Sequence, residues 1–201
     1  MKRNLYSLRN FTDLTKPDFI FLSEPQIFTS DLPHCMSHFG DEYCSELNSE
    51  DKFDIEIAMN KRKATGGTMV LWKKCLDKYV TIHPVHSTSF LPLVFSPPDS
   101  PVSVHIALYL PTSGKEAEFV DQITQLSNCL DDLRELYEDC LIFIRGDGNV
   151  NTNNLDRTKV FSTFLSFHNL EQVFIDHKTY HHFLGGGAFD SNFDPNQLEL
   201  G

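Results

Sequence analysis

A chain of 201 residues, 40% hydrophobic and 12% aromatic, is long enough for one sizeable core and short enough to be a single domain, expected over 1–201. Its net charge of −11 argues against a nucleic-acid binder working through a broad basic face, because phosphate contacts are the main sequence-independent source of such affinity. No apolar stretch approaches the roughly 20 residues of a membrane span, and MKRNLYSLRNF lacks the apolar block of a signal peptide. Together with five scattered cysteines, this leads us to expect a soluble, intracellular protein with reduced thiols, nuclear or cytoplasmic, with no membrane partner.

In chain order, Leu5, Leu8 and Phe11 mark a helix that Lys16-Pro17-Asp18 breaks before the short apolar strand Phe19–Leu22. From about Thr29 to Lys63 no period is visible, so a long surface excursion with at most a short helix is expected. It holds the basic run Lys61-Arg62-Lys63, and a second basic pair, Lys73-Lys74, lies further on; both read first as solvated positions. His34, Cys35 and His38 with Cys44 are zinc-type ligands without a second paired cluster, and no zinc is assigned. Gly66-Gly67 introduces a strand at Thr68–Trp72, and further strand-like runs follow at Tyr79–Ile82, Phe90–Phe95 and Val102–Tyr109, a middle that reads as antiparallel.

Phe119, Ile123, Leu126, Leu130 and Leu133 recur at spacings of four and three, one stripe of a long amphipathic helix between Lys115 and Glu138. A buried strand Leu141–Ile144 follows, then Gly146-Asp147-Gly148-Asn149. A second helix carries Val160, Phe161, Phe164 and Leu165, and a short strand covers Val173–Ile175. Strands in the middle, with helices before, between and after them, point to a layered α/β sandwich.

The chemistry sits at strand ends. A glycine lets the chain after Leu141–Ile144 turn sharply, so the Asp147 carboxylate and the Asn149 carboxamide can face one reacting group at a sheet rim, the layout of a phosphoryl-transfer site. Taken alone, the same four residues equally describe an ordinary Asp/Asn-rich turn. Glu24 ends the strand Phe19–Leu22, Tyr109-Leu110-Pro111-Thr112 ends the strand carrying His105, and Thr179–Phe183 leads through Gly185–Gly187 to Ser191-Asn192-Phe193-Asp194.

In this order the segments LYSLRNFTDLTKPDFIFLSEP, ATGGTMVLW, HIALYLPTSG, LIFIRGDGNVN and TYHHFLGGGAFDSNFD resemble the endonuclease/exonuclease/phosphatase superfamily. Within it they are most similar to the endonuclease domain of non-long-terminal-repeat (LINE-like) retrotransposons. The resemblance implies a deoxyribonuclease I-like sandwich of two packed, mainly antiparallel sheets flanked by helices. It also implies that Glu24 binds a divalent cation, Mg²⁺ or Mn²⁺, with no small-molecule cofactor. Asp147 then orients or deprotonates the attacking water, Asn149 holds that water or the phosphate, and Tyr109 donates to the phosphate. Asp194 matches the acid that orients a histidine near the domain's end. Glu24, Asp147, Tyr109 and Asn149 are therefore expected at one mouth.

The match departs from the family in four places. The family's closing Ser-Asp-His and the asparagine of its first strand have no counterpart. Gly148 stands where the family has a bulky residue, and Thr112 where its retrotransposon enzymes often carry asparagine. His181 and His182 do not occupy the place of the family's histidine. The expectation is thus a truncated copy lacking terminal strands: a metal-dependent phosphodiesterase or DNA endonuclease domain of retrotransposon type with little or no activity, and DNA as its partner if active. The alternative is a non-catalytic fragment or interaction module retaining the fold. A phosphatase of small phosphorylated lipids or inositols shares the fold but has no specific support in the sequence.

Overall fold

The computed structural model describes residues 2–53, 56, 64–150 and 154–172. The order of its elements is α1 (Lys2–Thr15), β1 (Phe19–Ser23), α2 (Leu32–Ser37), β2 (Tyr43–Asn48), α3 (Glu50–Phe53), β3 (Thr68–Lys73), β4 (Val80–Ile82), β5 (Phe90–Phe95), β6 (Ser103–Tyr109), α4 (Glu116–Leu136), β7 (Leu141–Asp147) and α5 (Leu155–Phe167). Short 3-10 turns cover Thr29–Asp31 and Lys74–Tyr79. The basic run Lys61–Lys63, the expected strand Val173–Ile175, Thr179–Phe183, the glycine run and Asp194 lie outside the described residues.

Two sheets form among the described strands: β1-β3-β2, wholly antiparallel, and β4-β5-β6-β7, antiparallel except for the β6/β7 pair. That parallel pair follows from its connection, since strands joined through a helix such as α4 run the same way. Alternation of side chains along the strands then sets the layers. Ile20, Met69 and Leu71 turn towards Leu5 of α1 and Cys35 of α2, whereas Val70 and Trp72 meet Leu91, Leu93 and Ala107 between the sheets. On the outer face of the second sheet, Val104, Ile106 and Leu108 pack against Phe119, Ile123, Leu126, Leu130 and Leu133 of α4 and Phe164 of α5, so the stripe read from sequence is the buried one.

Two elements differ from the sequence reading. Residues 43–48 form a strand where a surface excursion was expected; YCSELN has no alternation of its own and is held by pairing with β3, with Tyr43, Leu47 and Asn48 buried. β7, expected to be buried, is an edge among the described strands. Ile142 and Ile144 pack on the α4 side, but Leu141 and Phe143 on the inter-sheet side are exposed. The five cysteines are all free thiols. No helix among the described residues is long and apolar enough to cross a membrane.

Thr68 opens β3 between Ser23 and Asn48, and its fully buried hydroxyl has no hydrogen-bond partner among the described residues. A buried hydroxyl without a partner is destabilising relative to a methyl group of the same shape. Thr68→Val is therefore expected to stabilise the protein by about 1 kcal/mol and raise its melting temperature by a few degrees. A lower melting temperature for Thr68→Val would show that the hydroxyl is satisfied.

Candidate active site at the strand-end rim

Residues Ser23, Tyr109 and Asp147 terminate three rows of side chains that share the space between the sheets. Parallel register sets Tyr109 beside Asp147, and Leu110 N–H donates to Asp147 O at 2.9 Å. The Ser23 hydroxyl donates to Leu108 O at 2.8 Å and accepts from Asp147 N–H at 3.3 Å. One serine thus ties the end of β1 to the ends of β6 and β7, across 124 residues of sequence.

A second set of bonds carries Glu24. Its N–H donates to Gly67 O at 2.9 Å, and Gln26 N–H donates to Gly66 O at 3.3 Å. The glycine pair is there for space. A Cβ on Gly67 would lie 2.9 Å from Asn48 O, and one on Gly66 would touch the Tyr109 ring at 3.5 Å. The Tyr109 ring, the Gly66-Gly67 turn and the Glu24 turn consequently form one continuous wall. Glu24, Gln26 and Asn149 all have φ near +50°, a left-handed conformation uncommon for residues other than glycine and asparagine, which Lys16, Asp99, Asp139 and Asn169 also adopt elsewhere.

The loop after β7 is fixed by its own side chains. Asp147 Oδ1 accepts from Asn149 N–H at 2.8 Å, and Asn149 Nδ2 donates to Leu110 O at 2.7 Å, which sets the carboxamide's orientation because a carbonyl only accepts. Glu24 Oε1 accepts from Gln26 Nε2 at 2.9 Å. Gly148 would meet Phe161 and Val150 at 3.7 Å if it carried a Cβ, so side chains from α5 and the loop itself already lie beneath the turn. Glu24 also lines a cavity of about 520 Å³ between α1 and β3, walled by Leu5, Leu8, Met69 and Leu71.

Of the five residues picked out in the sequence, four come to one rim: Glu24, Tyr109, Asp147 and Asn149. The fifth, Asp194, lies outside the described residues. The donor set at the rim is oxygen only: two carboxylates, a carboxamide and a phenol. Mg²⁺ fits such a set, because it takes one or two carboxylates and keeps several waters. Among the described residues no group of three or more His, Cys, Asp and Glu side chains gathers, so a cation held here would rest on Glu24 with water and at most one further carboxylate.

Sequence reasoning missed Ser23 and Arg157. Serine at a strand end carries no signal without its partners. Arg157 reads as a surface charge of a helix, yet only 2% of it is exposed.

No protein-family model matches the chain, and no curated relative matches it by sequence. It is similar to the solved structure of the human Nocturnin catalytic domain with bound sulfate anion, with a TM-score of 0.58 and 11% identity, covering 83% of this chain and 62% of that one. It is also similar to ANGEL2, a 2′,3′-cyclic phosphatase, with a TM-score of 0.51 and 14% identity, covering 80% of this chain and 46% of that one. The chain spans about half the length of the solved structures it matches. These likenesses, with the two sheets and flanking helices described above, show the fold: it is the deoxyribonuclease I-like α/β sandwich.

Proposed function

We propose that this chain is a divalent-metal-dependent phosphodiesterase domain acting on DNA, of the retrotransposon endonuclease type. The observation that carries the reading is the meeting of Glu24, Tyr109, Asp147 and Asn149 at one rim, through bonds between segments far apart in sequence. The solved structures add support in kind: one is a phosphatase and another holds a sulfate, an anion shaped like phosphate.

Glu24 would hold Mg²⁺ or Mn²⁺, which supplies positive charge to the phosphoryl oxygens when bound. Asp147 accepts the proton of the attacking water as its oxygen forms the new bond to phosphorus, and the leaving sugar oxygen takes a proton from solvent as its bond breaks. Asn149 holds the attacking water or a phosphate oxygen, and the Tyr109 hydroxyl donates to the phosphate as its charge rises. Slow turnover is expected, with Gly148 and Thr112 as smaller departures from the resembling enzymes beside these groups, and a non-catalytic module is the second reading.

Supercoiled plasmid with Mg²⁺ or Mn²⁺ tests this. Slow nicking is expected, abolished by chelator and reduced at least ~100-fold in Asp147→Ala, the usual scale for a lost general base. Nicking unaffected by that substitution, after contamination is excluded, would overturn the mechanism. No nicking with either metal would favour the non-catalytic module.

A further inference from the structure

Beyond the last ladder pair, Tyr109 and Asp147, the chains of β6 and β7 leave the sheet, and no strand pairing among the described residues holds the segments after Leu110 and Asp147. Arg157, in the first turn of α5, reaches both. Its Nη1 donates to Pro111 O at 2.6 Å and to Asn149 O at 3.2 Å, and its Nη2 donates to Thr112 O at 2.7 Å. Its Nε is paired with Glu116 at the start of α4, and its guanidinium lies 4.4 Å from the centroid of the Phe119 ring. Its own N–H is capped by Asn154, so the helix start that aims the side chain is fixed as well.

We infer that Arg157 is a positioning residue: one buried guanidinium holds the loop after Tyr109 against the loop after Asp147, and so fixes the backbone that carries the Asn149 carboxamide at the rim. This rests on the function proposed above. Stability alone does not account for it, because replacing a buried ion pair with apolar groups of similar volume is often neutral or better. An apolar side chain could fill the space against Phe119. It could not satisfy three carbonyls from two loops at once, a task that suits the five-donor fork of arginine and not the point charge of lysine. The left-handed backbone of Asn149, φ +48°, is a conformation such a clamp would hold in place.

The test uses Arg157→Met, which keeps an apolar stem, and Glu116→Gln, a change at a half-exposed residue that leaves the fork intact while removing its counter-charge. Backbone amide exchange in 110–113 and 148–150 is expected to quicken roughly tenfold in Arg157→Met and a few-fold in Glu116→Gln, with β5 and β6 unchanged. Plasmid nicking should lose at least ~10-fold in kcat with KM within about twofold, the pattern of a group whose effect is felt in the transition state. Arg157→Lys should not restore it. Faster exchange throughout β5 to β7 with a lower melting temperature would assign Arg157 to stability alone and overturn the inference, as would wild-type exchange in both loops. If Arg157→Met fails to fold, Glu116→Gln decides by the same two-loop pattern. If Asp147→Ala leaves nicking intact, the function fails, while loop exchange still judges the clamp.

Discussion

Gly146→Ala is expected to destabilise the protein by about 3–5 kcal/mol, enough to unfold much of a domain of ordinary stability. Gly146 has φ +139°, and a Cβ there would lie 1.9 Å from Leu108 O and 2.7 Å from the Ser23 hydroxyl. Neither neighbour can give. Leu108 sits in β6 between β5 and β7, and Ser23 is the bridge between the sheets at the rim. Gly148→Ala, two residues away, provides the contrast. Its Cβ would make ordinary contacts at 3.7 Å with Phe161 and Val150, so a change under about 1 kcal/mol is expected. Urea unfolding of both variants measures the difference. Equal stabilities would contradict the close approach of β7 to β6 that brings Asp147 beside Tyr109.

Acidification should also weaken the fold well above the carboxylate range. His105 and His168 share one arrangement. An arginine donates to Nδ1, from Arg145 at 2.6 Å and from Arg134 at 2.9 Å, and a serine hydroxyl lies at Nε2, Ser103 at 2.9 Å and Ser127 at 2.7 Å. Arginine has no acceptor, so each Nδ1 must carry a lone pair and each ring is neutral, with its proton on Nε2. Burial, with Arg145 alongside, pushes His105 down to about 4. Burial, with Arg134 alongside, also lowers His168, against the opposing pull of Asp131 at 3.8 Å.

For groups whose folded pKa lies below the unfolded value near 6.5, the stabilising contribution is fully present above pH 6.5 and is lost as pH falls towards 4. For His105, discounted for the solvent that reaches the β7 edge, the loss at pH 5 is about 1–2 kcal/mol. Thermal melts at pH 7.5 and 5 should differ by several degrees, and His105→Gln should remove much of that difference. A melting temperature that is flat across this range would show that His105 meets solvent freely.

The candidate site was legible in sequence where strand ends carry their own signal. The glycine before Asp147, the glycine pair at 66–67 and the proline after Tyr109–Leu110 are backbone requirements, and such requirements are written in single residues. Bonds between segments far apart were not legible. The role of Ser23 exists only because β1 ends against β7, and Arg157 could not be told from a solvated helix charge without the two loops it reaches. β2 was missed for the same reason, since its burial comes from β3 and not from its own pattern. β7 was misjudged in the other direction: an apolar run states that a strand is there and leaves open how many neighbours cover it.

Glu24 and Asp147 are proposed to belong to one cation-binding rim. Mn²⁺ titrated into ¹⁵N-labelled protein tests it without requiring turnover, because a bound paramagnetic ion broadens the amides nearest to it. Selective loss of the Glu24, Tyr109, Asp147, Gly148 and Asn149 amides is expected, and Glu24→Ala should abolish it. Broadening confined to other acidic positions, such as Glu50-Asp51 or Asp131-Asp132, with the rim untouched, would contradict it.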